Sequence, residues 1–161
     1  MATEPLFNPW FATVTFDDPA PRLNLNDRLH WAQRAKHVKA WRHTTCDNTA
    51  NAWRNFPPAT VEVVFGVPNP GLRRDPHNWM PTVKAIIDGL VDAGVWADDD
   101  STHVTVLEPR FAKGKGVTVC ITPRTKDDEL DPWDGYRPED DQHHPDFRPY
   151  LDNRHPIEGT P

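Results

Sequence analysis

"TVEVVFGVPNPGLRRDPHNWMPTVKAIIDGLVDAGVWADDDSTHV" (residues 60–104) holds the pattern on which the architecture turns. Its first part, "TVEVVFGVP" (60–68), is apolar and β-branched enough to form a central strand. "NPGLRRDPHN" then reads as a loop, because proline, glycine and asparagine punctuate it. Proline is tolerated only in the first turn of a helix, so Pro81 places the next helix start within 79–82. Val83, Ile86, Ile87, Leu90 and Val91 share one face of that helix, and Gly94 supplies its stop.

Working outward, "FATVTF" (11–16) alternates with period two and predicts a strand. "NDRLHWAQRAKHVKAWRHTTCDNTANAW" (26–53) predicts a long helix with Asn26 or Asp27 as its N-cap. Trp31, Ala35, Val38, Trp41 and Thr45 recur as its buried stripe, with Lys36, Lys39 and His43 on a flank. Downstream, "HVTVLEPRFA" (103–112), "KGKG" and "VTVCITP" (117–123) predict a strand, turn, strand hairpin. The expected class is α/β (α+β): a small mixed sheet and two main helices, ordered strand, helix, strand, helix, strand, strand.

A chain of 161 residues accommodates one domain with a real core. The expected division is a domain over 1–124 and an acidic, proline-rich tail over 125–161. The formal net charge is -6, but residues 125–161 hold 4 basic and 11 acidic residues while 1–124 hold 14 basic and 13 acidic. The acidity therefore belongs to the tail, which has too few aliphatics to fold alone. Such a segment either competes with a polyanionic ligand or serves solubility. Arg22, Arg28, Arg34, Lys36, Lys39, Arg42 and Arg54 face only Asp27 and Asp47 within 22–54, a local excess that suits a polyanion. A solvated helix face is the plainer reading. No apolar run is long enough to span a membrane and no signal peptide is apparent. Cys46 and Cys120 lack metal-type spacing and read as reduced thiols, so a cytoplasmic setting is expected.

Acids cluster at both ends of the second helix: Asp75 before it, and Asp98, Asp99 and Asp100 after it. Like charges brought together require a cation or full solvation. The helix covers about 22 Å, and its flanking connections extend to roughly 33 Å, so Asp75 and Asp99 can meet in one subunit or across a dimer. Carboxylates are hard donors that suit magnesium or manganese, and such an ion would activate water against a phosphate. Lys84 either stabilises a phosphate or pairs with Asp88, four residues on.

"RRDPHNW…TVKAIIDGLVDAGVWADDDSTHV", preceded by "NLNDRLHWAQRAKHVKAWR", resembles the RusA family of crossover junction endodeoxyribonucleases (Holliday junction resolvases), in the form common in actinobacterial phages. The resemblance covers roughly residues 10–123. It implies a homodimer that binds branched DNA and nicks four-way junctions symmetrically with magnesium, in recombination and repair. By position it implies catalytic roles for Asp75, His77, Lys84, Asp98 and Asp99, with Asp75, His77, Asp98 and Asp99 holding the metal. Arg73, Arg74, Asn78, Arg28, Lys36, Lys39 and Arg42 are the expected DNA contacts. His77 stands where the family has a second aspartate, and three extra residues separate Asn78 from Lys84. The histidine is a nitrogen ligand, a general base, or the mark of a DNA-binding relative that no longer cuts.

Overall fold

The computed structural model describes residues 12–124; Phe11 and the acidic tail lie outside the described residues. The central strand the sequence predicts is β2 (Ala59–Val67), in which Ala59, Val61, Val63, Phe65 and Val67 are buried and the residues between them half-buried. That alternation turns one face of the sheet inward. Around β2 the elements run β1 (Ala12–Phe16), α1 (Trp31–Asn48), α2 (Met80–Asp92), β3 (Val104–Val106), β4 (Arg110–Lys113) and β5 (Val117–Pro123). The five strands form one mixed sheet with two helices, as the class expectation required.

The sheet's connectivity corrects the expected hairpin. β5 lies antiparallel between β1 and β2, while β3 and β4 both run parallel to β2 along its other edge. Segment 103–112 is thus two short strands, interrupted around Pro109, which has no N–H for the ladder. The "KGKG" turn does not join neighbours. It arches across the end of β2, where the Gly114 N–H donates to the Val67 carbonyl (3.0 Å) and the Gly66 N–H donates to the Gly116 carbonyl (2.8 Å). A Cβ on Gly66 would lie 2.5 Å from the Lys115 backbone, so glycine is what lets the turn cross there.

α2 begins at Met80, inside the predicted window, and ends at Asp92 just before Gly94. Val83, Ala85, Ile86, Ile87 and Leu90 are buried in the core, each larger side chain contributing about 1.5–3 kcal/mol. α1 packs on α2 at close range: a Cβ on Gly89 would lie 2.5 Å from the Arg42 carbonyl and 2.7 Å from Thr45 Cβ. Trp41 is fully buried beneath α1, against Phe16, and its indole N–H donates to the Pro21 carbonyl.

The start of α1 differs from expectation. Its N-cap is His30, whose ring accepts from the Ala32 N–H; the helix begins at Trp31. Asp27 and Asn24 are engaged in a turn instead, with the Asn24 N–H donating to Asp27 Oδ2 (3.0 Å). The preceding segment is tied to α2, because Leu23 exchanges hydrogen bonds with the Thr82 hydroxyl and the Leu25 N–H donates to the Asn78 carbonyl. Trp31 and Ala35, expected in the buried stripe, are exposed; only its lower part, Trp41 and Thr45, is fully buried. Among the described residues no helix is long and apolar enough to cross a membrane.

Candidate active site

Both loops that flank α2 are held by their own polar side chains. Asp75 accepts a hydrogen bond from the His77 N–H (3.1 Å), capping the 3-10 turn Pro76–Trp79 that runs directly into α2. His77 Nε2 meets Glu108 Oε1 at 2.7 Å, joining this loop to the link between β3 and β4. Arg74 donates to the carbonyls of Asn69 (2.9 Å) and Leu72 (3.0 Å) and lies over the Phe111 ring. It therefore shapes the loop, whereas Arg73 is exposed beside it.

Lys84 lies one turn into α2 and is the exposed member of an otherwise buried run. Its ammonium donates to Asp88 Oδ1 (2.6 Å) and to Asp99 Oδ2, so the loop after the helix folds back to its first half. Partial burial acts to lower the lysine's pKa, but hydrogen bonds to the two carboxylates outweigh it and hold the pKa above its ordinary value. The same hydrogen bond holds Asp99 below its ordinary value, against a smaller desolvation effect. Asp98 accepts from the Asp99 N–H (2.8 Å). Asp100 accepts from Thr102 and His103, which bring its pKa down to about 2. The three aspartates thus have three fates: one shapes the loop, one reaches the lysine, one turns the chain into β3.

The expected metal set of Asp75, His77, Asp98 and Asp99 is not assembled. Among the described residues there is no group of three or more His, Cys, Asp or Glu side chains placed to hold one ion. Each candidate ligand has an intrachain partner instead: a backbone N–H for Asp75 and Asp98, Glu108 for His77, and Lys84 for Asp99. The oxygen donors have the hardness a magnesium ion prefers, but within one chain their placement does not fit it.

Of the expected DNA contacts, Arg28, Lys36, Lys39 and Arg73 are exposed, and Asn78 is half-buried with its carbonyl engaged by Leu25. Arg42 is exposed as well, and its guanidinium makes a two-pronged pair with Asp92 of α2. The hydrogen bonding to Asp92 raises the arginine pKa and lowers that of the aspartate. This pair ties the helices together and leaves Arg42 less available to a phosphate. Glu108 is the functional candidate that sequence reading missed, since its contact with His77 spans 77 to 108 with no local spacing to announce it.

No protein-family model matches the chain, and no curated protein matches it significantly.

Proposed function

We propose that this protein is a structure-selective endodeoxyribonuclease that resolves four-way DNA junctions by paired symmetric nicks, acting as a homodimer in recombination and repair. The observation that carries the reading is the meeting of Lys84 with Asp99, two parts of the motif that are 15 residues apart. A lysine kept protonated between carboxylates at an exposed helix face is poised to exchange one of them for a phosphate. Arg73 and the exposed cations of α1 supply positioning contacts to the DNA backbone.

His77 is the chain's general base in this reading. Glu108 orients the imidazole through Nε2, and the other ring nitrogen takes the proton of the attacking water. Water adds across one P–O bond, and Lys84 offsets the negative charge that gathers on the phosphate. The reading carries a requirement for magnesium, with manganese as an alternative, which supplies charge neutralisation at the phosphate when bound. Among the described residues one chain does not assemble three donors for such an ion. That same observation favours a second reading, a junction-binding accessory protein that does not cut. Incubating the protein with a labelled four-way junction, with magnesium and with a chelator, separates the two.

A further inference from the structure

Trp31 is the most exposed large apolar side chain among the described residues, at 75%. It stands at one end of a groove of about 530 Å³ on the outer face of α1, with Ala35 and Val38 beside it at helical spacing. Arg34 and Lys39 line the groove and form no ion pair among the described residues. The Arg42–Asp92 pair closes it and is already neutral. The uncompensated charge is therefore positive, in a groove that ends on a largely exposed indole.

We propose that this groove binds an unpaired nucleotide of single-stranded nucleic acid, with a base stacked on the Trp31 indole and its phosphates held by Arg34 and Lys39. The His30 ring lies tilted at 5.5 Å from the indole, which at 75% exposure still offers a π-face to a base, and Arg34 and Lys39 line the same groove as cations for the attached phosphates. A second copy of this chain is the poorer occupant. A two-fold contact would place Arg34 and Lys39 against the same cations of the partner. Paired bases hide their faces, so duplex gains only the electrostatic part. The inference rests on the nucleic-acid part of the proposed function and not on cleavage.

The test is fluorescence anisotropy of a labelled oligothymidylate and of a duplex of equal length, with the full chain in chelator. Trp31→Ala should weaken oligothymidylate binding by about 5- to 100-fold, the effect expected for loss of one stacked base. It should weaken duplex binding much less, and Trp31→Phe should retain most of the affinity. Replacing Arg34 and Lys39 together with alanine should flatten the log–log salt slope for the single strand by about 1.4. Unchanged oligothymidylate binding by Trp31→Ala overturns the proposal, as does an equal loss for duplex and single strand. An effect confined to an added acidic, aromatic peptide also overturns it, assigning the groove to protein. Because the assay excludes divalent ions, a protein that never cuts DNA still passes or fails it.

Discussion

Lys84 draws its significance from where its ammonium is held rather than from its place in a motif. Spacing alone announced Asp88, since a lysine and an aspartate four apart on a helix are neighbours. Asp99 was legible only as a charge after the helix; its return to Lys84 depends on how the loop folds back. Glu108 was not legible at all, because nothing local marks a carboxylate that meets a histidine across the fold. Lys84→Ala is expected to abolish cleavage while leaving junction affinity within about fivefold, since a single exposed charge adds about 1 kcal/mol or less to binding. Normal cleavage by this variant, in a strand-nicking assay, removes Lys84 from the mechanism. Asp92 gives a separate pH prediction. Its pKa is depressed in the folded state, so its pairing with Arg42 stabilises the fold above the ordinary aspartate pKa of about 3.9 and is lost as pH falls through the lower folded value. Both side chains are over a third exposed, so screening limits the effect to about 1 kcal/mol or less. Urea midpoints from neutral to acid pH should show Asp92→Asn with a shallower acid loss than the parent; identical profiles contradict the assignment.

The helices and strands were read well where burial is one-sided, and less well where partners had to be chosen. α2 and β2 carry their periods openly, and both sit where those periods place them. The hairpin reading failed because a glycine-rich turn looks the same whether it joins neighbours or steps over a strand end. The crossing at Gly66 is a contact with Lys115 that no local pattern encodes. Gly66→Ala and Gly89→Ala should each destabilise the protein by about 1–3 kcal/mol, because a methyl would collide with backbone in the first case and with α1 in the second. Denaturant unfolding measures both, and wild-type midpoints would mean these approaches are looser than described. The α1 start was misplaced because Asp27 closes a turn with Asn24 before the helix forms. On the helix itself, Lys36 and Lys39 are exposed and unpaired among the described residues. Replacing both should reduce the salt dependence of junction binding by about 1.8 in log–log slope; an unchanged slope turns α1 away from the DNA.

Taken as one body, residues 12–124 place charge where a nucleic acid could meet it. α2 lies between the Asp75 loop and the Asp98–Asp100 loop, and α1 adds exposed cations and a largely exposed indole. The α/β class was legible because alternating strand and helix periods leave few ways to bury both apolar faces. The candidate site was legible as a set of residues, but the partner of each acid was not, because the folds of the two loops decide it. Those partners are exchangeable: the Lys84 contacts are exposed, and the His77–Glu108 contact is largely so. The decisive measurement is strand-specific cleavage of a four-way junction labelled in turn on each strand, by the full chain in magnesium and in chelator. The reading predicts paired nicks at symmetric positions in magnesium, none in chelator, and none from His77→Ala in either. A junction that is bound tightly yet remains uncut in magnesium, and in manganese, would contradict it and leave a junction-binding protein that does not cleave.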